Sequence, residues 1–525
     1  MNLKHIFLYY HTIKYLKPIQ IRYRIYYFLR KKIRLFTGFQ YKAFADIRTR
    51  QIKEFTPFLV NSNSYFEKET FVFLNQKKEF RNKIDWNFPK YGKLWNYNLS
   101  YFEYLNQENI QVEEGLRLIN DFIDCFSSLK DGLEAYPTSL RILNWIKFLL
   151  SNVIRDDRVN SNLYAQVKIM QDNLEYHLLG NHLLENAFAL TFAGVYFDDD
   201  KLLSGAKKLL QEQLEEQILS DGAHFELSPM YHHIILHRLL DLINLYNAAG
   251  MEDYGFMEFL HEKASDMLSW SKNMRFKNGD FPHFNDSTCG IALSPDKLEQ
   301  YAIFLRVKPV KIELKESGYR RFNTDKYEVV VDAGKIAADY IPGHGHNDMF
   351  NFILYVDSKP VIIDTGTSLY SGDSDRRYKE RSSSSHNTVT VGGMEQAEIW
   401  GDFRVARRSF PEIIFESEDK LIIEYIHFTK KYTHRREFRF GDSIISVIDT
   451  VSAGFDAISH LHFHSDINPK IDGNIIEAGL CQIIADKNNF VKKAYLFSTG
   501  FNNLKQAVKI ELEFVKTMEI MIKIH

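Results

Sequence analysis

Cysteine is scarce in this chain of 525 residues. Cys125, Cys289 and Cys481 are the whole supply, an odd and widely scattered set that argues against a disulfide framework and for a reducing compartment. Excess charge of either sign is also lacking. The net charge is −2, so no global field calls for nucleic acid. No fixed sequence period recurs, which disfavours a regular repeat family. The first fifty residues hold no apolar run long enough for a secretory core or a spanning helix, because charges interrupt it every few residues.

Aromatic residues are what the chain has in quantity: 41 Phe, 29 Tyr and 5 Trp, within an apolar fraction of 45%. The length leaves room for two to four domains with large cores. Core packing accounts for most of the Phe, whereas Tyr and Trp also suit a protein that stacks on sugars.

The N-terminus is crowded with Lys and Arg and carries one acid, Asp46, in its first fifty residues. Tyr9, Tyr10, Tyr15, Tyr23, Tyr26 and Tyr27 alternate with Lys14, Lys17, Arg22, Arg24 and Arg30. One reading is a basic amphipathic arm that touches an anionic membrane or an assembly partner. The plainer and preferred one is a helix pair whose basic face is solvated while its aromatic face packs on the body. The expected compartment is the cytoplasm, with membrane association through this arm; the periplasm is the alternative.

Near residue 320 the chain changes character. Apolar residues recur at helical spacing over 112–126, 139–153, 162–179, 183–197, 201–219, 229–249 and 257–273, which predicts consecutive antiparallel helices in an α/α array, a toroid or a solenoid. From there on, short β-branched runs of period two (327–331, 351–356, 361–364, 388–391, 421–425, 437–440, 444–447) predict antiparallel sheets in a sandwich. The expected organisation is a basic extension over 1–80, a helical domain over 81–318 and a β-sandwich over 319–525. A cleft between two such domains is a usual place for a long ligand.

Four constellations carry possible chemistry. In Gly180-Asn181-His182-Leu183-Leu184-Glu185-Asn186, Asn181 and His182 could donate hydrogen bonds to a substrate carboxylate. Ordinary helix capping by Asn181 or Asn186 is the preferred alternative. In the run from Asp221 to His233, a loop leads into a helix whose first turn holds Tyr231, a candidate acid or base or simply a surface aromatic. In Gly343-His344-Gly345-His346-Asn347-Asp348, alternation on an extended segment puts both imidazoles on one face. With Asp364 and His386 these supply a plausible three-ligand zinc set and leave one His over for chemistry. His460, His462 and His464 form a competing set that reads better as a sheet face. The fourth group holds Trp86, Trp95, Tyr97, Tyr101, Arg141 and Trp145. The Trp residues read as core, and Arg141 as a bidentate clamp for a carboxylate.

Taken in this order, the constellations resemble the heparinase II/III-like polysaccharide lyases over roughly residues 80 to 500. The resemblance runs through Lys93 to Leu99, Asn181-His182, Ser228 to His232, Pro282 to Ser287 and, most specifically, Gly343 to Asp364 with His386-Asn387-Thr388. It implies an α+β multidomain fold, an N-terminal incomplete (α/α) toroid followed by a C-terminal antiparallel β-sandwich, and β-elimination on a uronic-acid-containing polysaccharide. It also implies that Asn181 and His182 neutralise the uronate carboxylate and that Tyr231 is base, acid or both. His344 would be the second acid/base group. Tyr97, Arg141 and Glu185 would bind substrate, and His346, Asp364 and His386 would hold a structural Zn2+. The basic N-terminus in place of a leader points toward a capsule or O-antigen polysaccharide.

A binding or assembly module that keeps the fold without catalysis is the alternative, although it has no need of proton-transfer groups. A glycoside hydrolase would need two carboxylates about 5 to 10 Å apart, and Glu226 with Asp286 is the only pair to nominate.

Overall fold

The computed structural model describes residues 3–41, 47–52, 55–452, 454–487 and 489–525. Asp46 lies outside them. The helical half contains Lys93–Tyr101, Val112–Cys125, Ala135–Ser151, Asp157–Gln171, Gly180–Tyr196, Asp200–Gln217, Pro229–Ala248, Tyr254–Met274 and Pro295–Phe304. Several begin where a short polar side chain caps a free backbone N–H: Asp156, Asp199, Ser228 and Asp253 accept from Val159, Leu202, Tyr231 and Phe256, each cap worth about 1 kcal/mol. Successive helices pack as pairs, Gly180–Tyr196 against both Asp200–Gln217 and Ala135–Ser151. Gly194 permits the first contact, because a Cβ there would come within 2.8 Å of the Leu203 Cα. Ala135–Ser151 and Gly180–Tyr196 are buried almost all round, as expected of helices inside a closed layer.

The sheet half starts with the strand Tyr319–Asn323. It builds an eight-stranded sheet, two four-stranded sheets and a two-stranded one, Ala397–Trp400 with Arg404–Arg408, all antiparallel. One apolar core takes Val329, Val331 and Leu354 from one sheet, Leu421, Phe438 and Ile520 from the second, and Leu461 and Ile510 from the third. The fold is thus α+β and multidomain: an incomplete (α/α) toroid followed by an antiparallel β-sandwich.

The first eighty residues are more than a basic extension. A three-stranded sheet, Tyr65–Phe66, Thr70–Phe73 and Gln76–Glu79, sends Phe71 and Phe73 into the toroid core. Ahead of it, α1 (Leu3–Ile13) and α2 (Pro18–Thr37) bridge the two halves. Tyr9 of α1 meets Trp400 edge-on at 4.8 Å, and the Trp400 indole donates to Thr12 Oγ1 (3.1 Å) on the sheet side. On the toroid side, Tyr23 of α2 stacks on Tyr176 at 4.5 Å and the Gln20 amide donates to the Leu178 carbonyl (3.0 Å). The aromatic face does pack inward, but Arg30 and Arg34 turn inward with it, onto Asp172. Expected segregation into a solvated basic face and a packed aromatic one therefore fails. Ion pairing keeps these cations against the body, while several apolar residues point outward.

Candidate active site

A cleft of about 1240 Å³ runs between the two halves. Tyr97, Asn181, His182 and Tyr231 reach it from the toroid, His344 and Tyr370 from the sheet half. Tyr231 sits in the first turn of Pro229–Ala248, where the Ser228 cap fixes its backbone (3.3 Å). Its ring lies 4.1 Å from that of His344, centroid to centroid. The Tyr370 hydroxyl donates to the Tyr231 hydroxyl at 3.2 Å. Burial, reinforced by Tyr370, holds the Tyr231 phenol well above its ordinary pKa, so at rest this group carries its proton.

The loop that carries His344 and His346 is irregular and forms no strand. Alternation therefore does not explain their placement. Both rings instead grip one carboxylate: His344 Nδ1 lies 2.8 Å from Asp286 Oδ2, and His346 Nε2 lies 2.9 Å from Asp286 Oδ1. Arg377 closes the same buried group bidentately. Burial alone would push the Asp286 carboxyl up, but Arg377 and the two imidazoles outweigh it and hold it well below the usual carboxylate range. An ionised Asp286 accepts the Nδ1 proton of His344, which leaves Nε2 as the basic nitrogen. That nitrogen stands 3.5 Å from the Asn181 amide and 3.6 Å from Glu226 Oε2.

Asn181 is not a helix cap. It lies inside the first turn of Gly180–Tyr196, whose cap position is Leu179. Its side chain donates to Glu226 Oε2 (2.7 Å) and its backbone N–H to Glu226 Oε1 (2.8 Å). Nor is Asn186 a cap; its amide donates to Ser139 and Glu175 farther along the helix. Gly180 makes the Glu226 contact possible: it adopts φ +59°, and a Cβ there would run into the Glu226 carboxylate and Ile341. His182 faces the cleft with 36% of its side chain exposed, and its Nδ1 lies 3.2 Å from the buried Glu175 carboxylate. Burial works against its charge, yet Glu175 prevails and the pKa is raised.

Other expected site residues fall elsewhere. Arg141 is fully buried and spends four of its five N–H donors on Gln166 Oε1 (2.6 Å), the carbonyls of Ser100 and Gly132 (3.1 and 2.9 Å) and Thr138 Oγ1 (3.1 Å). It braces the backbone behind the cleft and is not among the side chains that line it. Glu185 is also fully buried, its carboxylate held by Arg238 at 3.1 Å; Arg238, not Glu185, reaches the cleft. Tyr97 stays on the cleft wall, beneath the Lys93 ammonium at 5.2 Å. Trp86, Trp95 and Trp145 are core. Glu226 and Asp286 are both spent on partners, which leaves neither to protonate a glycosidic oxygen as a hydrolase pair.

Two family models match the chain: the heparinase II/III N-terminus over residues 138–310 and the heparinase II/III-like C-terminal domain over 307–515. This chain belongs to the heparinase II/III-like family. A heparin-sulfate lyase of Bacteroides stercoris is 24% identical over 322 residues, 55% of this chain and 46% of that protein. A heparin-sulfate lyase of Bacteroides thetaiotaomicron is 25% identical over 291 residues, 46% of this chain and 41% of that one. The chain thus spans about half the length of the curated relatives it matches. Among solved structures, a heparinase III superposes with a TM-score of 0.64 at 16% identity, covering 85% of this chain and 80% of that one. A chondroitinase AC lyase gives 0.51 at 10% identity, with 82% and 75% covered. Both likenesses concern the fold.

The expected zinc ligands His346, Asp364 and His386 can be tested against the side chains. His386 Nδ1 lies 2.7 Å from Asp364 Oδ2. The far nitrogens, His346 Nδ1 and His386 Nε2, are both buried without a partner, on rings 5.3 Å apart. Asp348 Oδ1 is orphaned as well. Buried polar atoms of this kind require a partner, and imidazole with carboxylate suits zinc. Among the described residues no three such groups stand at ligand spacing. Donor chemistry therefore fits the metal, while its ligand geometry is not drawn together.

Sequence reasoning missed Tyr370, Arg377 and the holding roles of Asp286 and Glu226. Each acts through a partner distant along the chain, and the only signal was that Asp286 lies in a tract shared with the family.

Proposed function

We propose that the protein is a polysaccharide lyase that cleaves a uronic-acid-containing glycan by β-elimination. The observation that carries this reading is the convergence of Tyr231 and His344 beside Asn181 in one cleft. Elimination removes the proton at C5, forms the C4–C5 double bond and expels the glycosidic oxygen from C4. The difficult part is the anion that develops next to the carboxylate. Asn181, with its amide fixed by Glu226, and His182, whose cation Glu175 favours, supply the donor and the charge that stabilise it. His344 Nε2 takes the C5 proton, and Tyr231, protonated at rest, delivers one to the leaving oxygen. Both groups face the cleft, but a C5 proton on the other face of the ring would need the opposite protonation states, an ionised Tyr231 and a protonated His344.

His346, Asp364 and His386 would hold zinc. The metal would brace the loop that presents His344, and its chemistry is structural. For the substrate, a self-made surface polysaccharide of the capsule or O-antigen type is in keeping with a basic arm on the cleft wall. A purely glycan-binding role gains no support from two proton-transfer groups in contact.

The test is ultraviolet absorbance of the unsaturated product when the purified protein meets a panel of polyuronates and sulfated glycosaminoglycans. Tyr231→Phe should abolish the signal with unchanged circular dichroism. Chain cleavage without the new chromophore would overturn the lyase reading.

A further inference from the structure

The N-terminal helix pair has two faces, and the cleft uses only one. On α2, Gln20, Tyr23, Tyr27, Arg30 and Arg34 recur at three- and four-residue spacing and lie against the body. The opposite face carries Ile21, Ile25, Phe28, Leu29 and Phe36, all exposed, Phe28 by 59% and Phe36 by 92%. On α1, Phe7 (62%) and Tyr10 (64%) are exposed as well. Helical geometry places the α2 residues on a single outward strip. Arg22, Lys31 and Lys32 border or interrupt that strip, and no ion pair among the described residues engages them. Residues 1 to 41 contain nine Lys and Arg and not one Asp or Glu.

We propose that the outer face of α2 is a docking surface for an anionic lipid bilayer. An apolar strip bordered by unpaired cations matches the two layers such a surface offers, acyl chains below and phosphates above. Neither half of the pattern is explained alone: a nucleic-acid backbone has no use for bare Ile, Phe and Leu, and a second copy of the chain would set cation against cation. The helix lies on the membrane and does not enter it, since six Lys and Arg interrupt its 20 residues. Leu16, Gln20 and Arg24 of the same arm line the cleft, so docking sets the cleft at the bilayer surface. The docking itself does not depend on the lyase reading.

The experiment is co-sedimentation of the full chain with vesicles of phosphatidylcholine alone or mixed with phosphatidylglycerol. Partition should be at least about tenfold stronger with the anionic lipid and should weaken as salt is raised. The variant R22Q/K31Q/K32Q should lower anionic-vesicle binding by about tenfold or more. I25S/F28S/L29S should remove the part that survives high salt, with melting temperature and circular dichroism unchanged in both variants. Absence of vesicle binding would overturn the proposal. So would binding that neither variant alters, or a wild-type dimer in solution that the serine variant returns to monomer.

Discussion

The phenol of Tyr231 and the imidazole of His344 lie with ring centroids 4.1 Å apart and planes tilted by 32°. One comes from a toroid helix and the other from a loop of the sheet half, so their contact is made by the packing of two domains. The second layer fixes it. Ser228 caps the helix that carries Tyr231 and also donates to the Asp286 carbonyl (2.8 Å), while the Asp286 side chain holds His344. One short segment thus ties the acid and the base to each other.

Asp286→Asn should cost both stability and turnover. The change is nearly isosteric but leaves the fully buried Arg377 without its counter-charge, a loss of about 3–5 kcal/mol. It also leaves one acceptor oxygen where the carboxylate offered two, so His344 and His346 can no longer both donate to it. Chemical denaturation should show the first effect and kcat the second. Because the folded pKa of Asp286 is depressed, its contribution to stability is present above the unfolded value of about 3.9 and is lost as pH falls through the folded one. Wild-type stability should therefore decline in acid, and Asp286→Asn should flatten that part of the profile.

His182 predicts a limit on the alkaline side. Its pKa is raised by Glu175, so the cation survives to higher pH than a free imidazole and is lost as pH rises through the folded pKa. KM for an acidic glycan should climb over that window while kcat changes less. In His182→Gln, KM should be high at every pH and nearly flat. A wild-type KM that stays constant across the window would remove His182 from carboxylate binding.

The helices were legible because apolar residues recur along them at three- and four-residue spacing, whether they bury one stripe, as Val112–Cys125 does, or nearly their whole surface, as Gly180–Tyr196 does. Gly180–Tyr196 and Pro229–Ala248 were read to within a few residues for that reason. Arg141 was misread because a helical Arg beside aromatics looks the same whether it faces a cleft or the carbonyls of Ser100 and Gly132; only the fold decides. His344 and His346 were assigned to an extended strand because alternation is a strand signature. Their shared direction instead comes from Asp286, a partner that no local pattern reveals. The small sheet at Tyr65–Glu79 escaped notice because its last strand, Gln76–Glu79, is polar throughout.

Zinc bound by His346, Asp364 and His386 should appear as one equivalent in metal analysis of protein purified without chelator. Removal should lower the melting temperature, since His346 Nδ1 and His386 Nε2 would again be buried without partners, at roughly 1–3 kcal/mol for each such group. Readdition of zinc should restore the melt. His386→Ala should lose both the metal and the response. Metal-free protein with an unchanged melt would show that the two nitrogens are satisfied in another way.

Gly180→Ala tests how Asn181 is held. At φ +59° an alanine costs about 1–2 kcal/mol in backbone strain. Its Cβ also meets the Glu226 carboxylate and Ile341, so something must move. Ile341 belongs to the cleft wall, whereas Glu226 anchors both the backbone and the side chain of Asn181. Displacing either one disturbs the amide that faces His344. The expected result is a folded protein with a lower melting temperature and a kcat loss out of proportion to that destabilisation. Glu226→Gln, which keeps the shape but weakens the bonds to Asn181, should reproduce the kcat loss with a smaller change in melting. If Gly180→Ala lowers stability and leaves kcat intact, the Glu226 bracket does not position Asn181 for chemistry.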